Sequence, residues 1–349
     1  MTPQRLQEIA ARYARLRIAV VGDFCLDRYL EIDPARAEIS IETGLAVYNV
    51  TRVRAQPGAA GTILNNLVAL GIGTIFPVGF CGEDGEGYEL RRALAALPGV
   101  DATHFLQTAR RRTFTYCKPL VVEPDRPPRE LNRLDSKNWT ATPPDVTAEL
   151  ARSLATLRAH VDAIILMDQV DVPETGVITA ALLAGLAPDA GAVPIIADSR
   201  RGLRGFPPVI FKMNAAELSA LTGMPADAPV AEVQRAAAEL AARNQRPVFV
   251  TMAERGLVGA MADGGIEHHP ALPLRGPIDV VGAGDSVTAN LAAALAAGAG
   301  LREALELAAA GSSLVIHQLG TSGTASLEQM AGLLTGDAAR FPPGISAIP

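Results

Sequence analysis

Short apolar runs recur along the chain, and most of them stop at a glycine or an acid. "RIAVVGDF" at residues 17–24 ends in Gly-Asp, the pattern of a strand buried on both faces whose carboxyl end meets a polar site. "TILNNLVALG" at 62–71 carries Ile63, Leu67 and Leu70 at helical spacing and stops at Gly71. "IFPVGFCG" then reads as a strand and "GEGYELRRALAAL" as a helix. Further strands are predicted at "DAIILMD" (162–168), "VPIIAD" (193–198), "PPVIFKMN" (207–214) and "PVFVTM" (247–252). Helical patterns such as "AEVQRAAAELAARN" lie between most of them, and "MTPQRLQEIAARYARLR" opens the chain as a short amphipathic helix. This alternation predicts an α/β protein whose parallel sheet is covered on both faces.

Two stretches break the alternation. Residues 28–57 lack a helical period and hold β-favouring pieces such as "LAVYNVTRV", and residues 111–122, "RRTFTYCKPLVV", also read as strands. Both are assigned to a small β-flap projecting from the sheet edge. "VVEPDRPPRELNRLD" (121–135) reads as a loop rich in proline and charge, and "ARFPPGISAIP" (339–349) as a loosely held tail. No repeat or low-complexity linker divides the chain, so one domain over 1–349 is expected, with the flap inside it.

Composition removes several function classes. The formal net charge of −6 over 349 residues leaves no general basic face of the kind nucleic-acid binding needs. No run free of Gly, Pro and charge reaches membrane-spanning length, and the N-terminus lacks the apolar core of a signal peptide. The three cysteines, Cys25, Cys81 and Cys117, have no CxxC spacing; they suit a reducing cytoplasm and offer no zinc site. A cytoplasmic protein is expected, with neither nucleic acid nor membrane as partner. Among 31 basic residues only Lys118, Lys137 and Lys212 are lysines, so each stands out.

Candidate chemistry concentrates at 279–286, "DVVGAGDS". Gly282 and Gly284 allow backbone N–H groups to approach a ligand with no Cβ in the way. The run from Ser286 onward is helical in composition, so free N–H groups and the positive end of the helix dipole face this loop, a corner that binds phosphate. Asp285 would repel a phosphate, but it suits a general base that takes a proton from an attacking hydroxyl. The same residues are equally compatible with a plain glycine turn in which Asp285 caps the helix. No G-x-x-x-x-G-K-[ST] loop and no strand-linked G-x-G-x-x-G near the N-terminus offers a rival phosphate site.

Together with "VVGDFCLD" at the start and "PGAAGTILNNLVALG" after the flap, "VVGAGDS" resembles the PfkB/ribokinase family of sugar kinases. The motifs occur in the family's order between residues 17 and 327. Within the family, "GDFCLDRY", "RLD" (133–135), "ISIETGLAV" and "QLGTS" (318–322) look most like the heptose-7-phosphate kinases of the ADP-heptose pathway. The resemblance implies a ribokinase-like fold: a doubly wound, mostly parallel sheet with helices on both faces and a small β-flap lid. It implies ATP-dependent phosphoryl transfer to a hydroxyl of a sugar or sugar phosphate, with a heptose 7-phosphate as one candidate. ATP and Mg²⁺, with K⁺ as an optional further cofactor, and a homodimer paired through the flap are implied with it.

Carried over position by position, Asp285 matches the family's catalytic base and Gly282, Ala283 and Gly284 its anion hole. Asp27 matches the acid that accepts hydrogen bonds from sugar hydroxyls, a role that a carboxylate at a strand's carboxyl end suits; a solvated or capping residue is the lesser alternative reading. Gly58, Ala59, Thr62 and Asn66 fall in the sugar loop. Ala59 replaces the second glycine of a pair, Thr62 replaces an asparagine, and Asn66 matches the family's second asparagine. Lys118 lies where phosphosugar kinases carry a basic residue for the phosphate already on the substrate, or it is a solvated flap charge; Arg133 joins the substrate group. Asn214 and Glu217 match N-x-x-E, which organises Mg²⁺ and phosphate through water from one face of a helix turn. On the nucleotide side, Thr251 and Gly256 match T-x-G-x-x-G with Ala253 in place of its first glycine. Asp198 and Arg200 stand where the family has Asp-Pro-Lys. The departures cluster on recognition. They leave open a kinase for a hexose phosphate or a nucleoside, and a non-catalytic sugar or nucleotide sensor on the same fold. The two-domain heptose enzyme carries a nucleotidyltransferase after its kinase; no His-x-Gly-His-type stretch occurs here, so a nucleotidyl step is expected of a separate protein.

Overall fold

The structure, a computed structural model, describes residues 1–186 and 193–336. Helix α1 (Pro3–Tyr13) starts at Thr2, whose hydroxyl accepts from the Arg5 N–H, and buries Leu6, Ile9 and Tyr13. It leads into β1 (Arg17–Gly22), β2 (Phe24–Ile32), the short hairpin β3 (Glu38–Ile39) and β4 (Ala46–Val47), then β5 (Val50–Ala59) and α2 (Ala60–Ala69). β6 (Thr74–Gly82), α3 (Gly85–Ala95), β7 (Phe105–Thr108), β8 (Phe114–Val121), β9 (Arg129–Glu130) and β10 (Leu134–Ser136) follow. The chain continues through α4 (Pro144–Arg158), β11 (Ala163–Asp168), α5 (Ala180–Ala184), β12 (Ile195–Ser199), β13 (Ile210–Asn214), α6 (Ala215–Thr222) and α7 (Val230–Asn244). It ends in β14 (Val248–Thr251), β15 (Leu257–Ala260), β16 (Ile266–His269), α8 (Ala283–Ala296), α9 (Leu301–Val315) and α10 (Leu327–Thr335).

Every strand predicted from an apolar run enters one sheet of order β16-β15-β14-β13-β12-β11-β1-β6-β7. From β7 to β14 the neighbours are parallel, and β15 and β16 add an antiparallel edge. Alternation along β1 sends Ile18 and Val20 into the core beneath α1, α2, α8 and α9, and Ala19 and Val21 into the core beneath α4, α6 and α7. Two cores on one sheet are what doubly wound means physically, and the expected fold class is the one observed. Among the described residues no helix is long and apolar enough to cross a membrane.

The flap differs from expectation in three ways. It is a second sheet of order β10-β8-β2-β5, with β9 also on β8, and it continues from the interior strand β1 instead of the sheet edge. The run 17–24 therefore splits at Asp23, and Asp27 sits within β2, inside the flap, not at the carboxyl end of the first strand. The break has a cause: the buried Asp23 carboxylate accepts N–H bonds from Gln169, Val170 and Val177 and pins the 169–177 loop. Finally, the segment read as a loop at 121–135 contributes β9 and β10 to the flap, because its backbone groups find partners on β8. The tail at 339–349 lies outside the described residues.

Candidate active site

The carboxyl ends of β1, β11, β12, β13 and β14 open toward the flap, and a crevice at this end is where doubly wound sheets place ligands. Helix α8 starts in it. Gly282 is its N-cap, left-handed at φ 81°, and Asp285 is the third helical residue, so the reading of Asp285 as the cap does not hold. The Ala283 N–H reaches the Val280 carbonyl at 3.2 Å and the Ser286 N–H takes the Gly282 carbonyl at 2.9 Å. The N–H groups of Gly284 and Asp285 have no intrahelical acceptor, because the turn that would supply one has not begun. They face the crevice with the positive end of the helix dipole.

Asp285 keeps an opening to solvent yet lies deep in the crevice. Burial first, then the Asp198 charge, push its carboxyl up to about 7, with Lys212 opposing and Asp27 adding to the rise. A carboxyl poised there exchanges a proton near neutral pH, as a general base must.

Lys212 was not singled out by any motif, and it is the cation beneath this corner. It is 5% exposed, its Nζ lies 2.7 Å from Asp198 Oδ2, and the Thr288 hydroxyl donates to the same oxygen at 2.9 Å. A Cβ added to Gly284 would stand 3.1 Å from that Nζ, so glycine lets the ammonium approach the first turn of α8. Burial disfavours the charge of Lys212, but the Asp198, Asp285 and Glu217 carboxylates outweigh it and hold the pKa above the ordinary lysine value. Its scarcity as a lysine at the polar end of an apolar strand was the signal in the sequence.

On the flap, the register sets Asp27 beside Gln56 of β5 and Tyr116 of β8. Asp27 is buried. Lys118 Nζ lies 3.5 Å from its Oδ1, 3.4 Å from the Tyr29 hydroxyl and 4.8 Å from the Tyr29 ring centroid, so Lys118 is paired and not a solvated flap charge. Arg133 covers the Tyr116 ring at 4.8 Å and pairs with Asp135 at 3.0 Å. Burial raises the pKa of Asp27, opposed by Lys118 and Arg133. Gly58 leaves room for this acid: a Cβ there would stand 2.6 Å from Asp27 Oδ2. Ala59 has φ 54° and ψ −116°, so the glycine backbone persists where the residue has changed. Thr62, in the first turn of α2, sets its methyl 3.5 Å from where a Gly282 side chain would start. Asn66 is buried and braces the loop, its amide donating to the carbonyls of Thr62 at 2.9 Å and Gly323 at 3.4 Å.

The nucleotide-side residues are spread more widely. Asn214 caps α6 and forms a reciprocal box with Glu217: the Glu217 N–H donates to Asn214 Oδ1 at 2.9 Å and the Asn214 N–H to Glu217 Oε2 at 2.7 Å. Thr251 is the β14 neighbour of Asn214. Ala253, at φ 50°, again keeps a glycine-like backbone, while a Cβ on Gly256 would collide with the His269 carbonyl, so that glycine serves a close backbone approach. Asp198 is committed to Lys212 and Thr288. Arg200 pairs with Asp171 at 3.1 Å, the same carboxylate that Lys137 holds at 2.8 Å, and its charge reaches Tyr116, which puts it on the flap side of the crevice. Among the described residues no group of three His, Cys, Asp or Glu can hold a metal ion directly. The set fits Mg²⁺ only in the manner that ion prefers, bound to phosphate and water, with a carboxylate in the layer beyond. Glu217 offers one oxygen for that, its other being used by the capping box.

Sheet, flap and crevice together define the ribokinase-like class of α/β kinases. A ribokinase from Arabidopsis thaliana complexed with ribose and ATP superposes with a TM-score of 0.62 at 21% identity, over 91% of this chain and 98% of that one. Phosphofructokinase-2 from Escherichia coli, in complex with substrates and products, gives 0.65 at 18% identity, over 90% and 96%. Residues 16–328 match the pfkB family of carbohydrate kinases, and the chain belongs to that family. Among its relatives, the "Bifunctional protein HldE" of Azorhizobium caulinodans is 32% identical over 332 residues, covering 94% of this chain and 66% of that protein. The protein of the same name in Caulobacter vibrioides is 32% identical over 331 residues, covering 93% and 65%. The chain thus spans just under two thirds of the length of these relatives.

Proposed function

We propose that the protein transfers the γ-phosphoryl group of ATP to a hydroxyl of a sugar phosphate, with a heptose 7-phosphate as the favoured substrate and Asp285 as general base. The observation that carries the reading is a carboxyl held near neutrality beside two N–H groups at a helix start. Asp27 accepts hydrogen bonds from sugar hydroxyls and orients the reacting one. Its proton passes to Asp285 as the hydroxyl oxygen bonds to the γ-phosphorus, the bridging oxygen leaves with ADP, and the N–H groups of Gly284 and Asp285 hold the developing charge, the Ala283 N–H being taken by the Val280 carbonyl. Asn214 and Glu217 would hold Mg²⁺ through water, and the ion would neutralise phosphate charge there. Lys118 and Arg133, beside Asp27, receive the phosphate already on the substrate. Arg200 lines the approach to it from the flap side, and Thr251 on β14, beside Asn214, lies on the ATP side.

The flap closes over the sugar and excludes water, which otherwise competes as acceptor. The β3–β4 hairpin between β2 and β5 exposes Ile39, Ile41, Leu45 and Tyr48, a surface that suits pairing with the same hairpin of a second copy. Sedimentation velocity of the wild type against Ile41→Asp tests that dimer; a monomeric wild type removes it. Three free, buried cysteines suit a reducing cytoplasm. The K⁺ dependence that the resemblance implies is read as ADP release in potassium chloride against choline chloride. ADP release with a panel of sugars and sugar phosphates tests the reaction, and Asp285→Asn should lose at least about a hundredfold in kcat. Full activity in that variant overturns the mechanism. Thr62 favours one alternative, a hexose phosphate or nucleoside, because it offers a methyl where the resembled kinases have an amide; the same panel decides it.

A further inference from the structure

We propose that Gln56 is a specificity-determining residue of the sugar site, its side-chain amide donating a hydrogen bond to a hydroxyl adjacent to those held by Asp27. The inference rests on the sugar-kinase reading above and adds a donor that no motif marks. In the antiparallel pair β2/β5, Gln56 is directly opposite Asp27, so the two side chains leave the same face of the flap as close neighbours. Gln56 is 6% exposed, and its Nε2 is buried with no hydrogen-bond partner among the described residues. A buried donor left unpaired costs stability, so its place beside the substrate acid calls for a partner that arrives with the ligand.

The neighbouring donors are engaged elsewhere. Arg54, two residues back on the same face, binds Glu31 at 2.7 Å and stacks on Tyr29 at 4.7 Å. Asn65 spends its amide on the Pro57 carbonyl at 3.2 Å. Asp27 is approached by Lys118 and pressed against Gly58. On the other side of Gln56 along the same face is Gly58, and the Asp27 carboxylate occupies the space that a side chain there would fill. A polyol lying over Asp27 and Gln56 meets an acceptor and a donor side by side. An ionised carboxylate only accepts, whereas an amide N–H donates, so the pair reads two hydroxyls with opposite polarity.

The test compares wild type, Gln56→Met and Gln56→Asn on the best sugar of the panel and on its singly deoxygenated analogues, with apo thermal midpoints alongside. Gln56→Met removes the amide at similar length, and Gln56→Asn withdraws it by one methylene, so either suffices if the other fails to fold. The expected result is a sugar KM raised on the order of tenfold or more, an unchanged KM for ATP, and no loss of apo stability. One deoxy analogue should be poor for the wild type yet equal to the parent sugar for the variant. An unchanged sugar KM, with every analogue ranked alike by wild type and variant, overturns the role of Gln56 and leaves the kinase standing. Absence of turnover by the wild type with any sugar overturns both.

Discussion

Replacing Lys212 by methionine removes the only positive charge in contact with Asp198 among the described residues and keeps the length of the side chain. Asp198 is then buried with one hydroxyl donor, Thr288, and with Asp285 close enough for the two charges to repel. Breaking a buried pair in this way costs about 3–5 kcal/mol, whereas removing both partners together is close to neutral. Lys212→Met alone should therefore lose about 3–5 kcal/mol in equilibrium urea unfolding, and Lys212→Met with Asp198→Asn should recover most of it. The two variants also separate stability from chemistry. Lys212 opposes the upward shift of Asp285, so in the single variant the pH below which turnover falls should rise above its wild-type position. Urea melts followed by far-UV circular dichroism give the energies, and the pH profile of kcat gives the second readout. A single-variant loss under about 1 kcal/mol, or strictly additive losses in the double variant, refutes the reasoning, since it would mean the pair carries no coupled energy.

Asp285 sets both activity and stability against pH. Its folded carboxyl lies near 7, above the unfolded value of 3.8, so its contribution is fully present below that lower value and is lost as pH rises through the folded one. Turnover should therefore fall below about pH 7, and Asp285→Asn should be more stable than wild type at pH 8 by up to about 4 kcal/mol, reduced by the water that reaches the carboxylate; equal stability of the two at pH 8 counts against the shift. Ala59 holds a backbone that L residues rarely adopt, so Ala59→Gly should raise stability by about 1 kcal/mol, read as a higher thermal midpoint with unchanged KM for sugar.

The helix start at 282–285 was legible because a glycine turn and the helix it opens use consecutive residues, and so does a strand buried on both faces. Glycine, alanine, glycine and acid in a row state the turn and the helix start locally, and the apolar runs ending in Gly or Asp state the sheet. Residues that depend on partners far along the chain were not legible. Arg200 reads as a nucleotide residue by position, but its guanidinium meets Asp171 on the flap side. Asp198 reads as a ligand, but Lys212 from the next strand and Thr288 from α8 claim it. Asn214 and Glu217 read as a pair on one helix face, and the fold adds that each caps the other.

What the sequence determined by itself was the order of strands and helices, the class of fold and the identity of the acid at the head of α8. Periodicity and backbone freedom are properties of neighbouring residues, and they survive without knowledge of the fold. The tertiary structure decided which charges are opposed and which are left unpaired. Asp27 moved from the end of a strand to the interior of the flap, next to Gln56, because Asp23 breaks the run to hold a loop some 150 residues away. Lys212 became the counter-charge of the corner because two parallel strands and one helix converge on it. Pairings of that kind come from register and packing between distant segments, and no local pattern of residues encodes them.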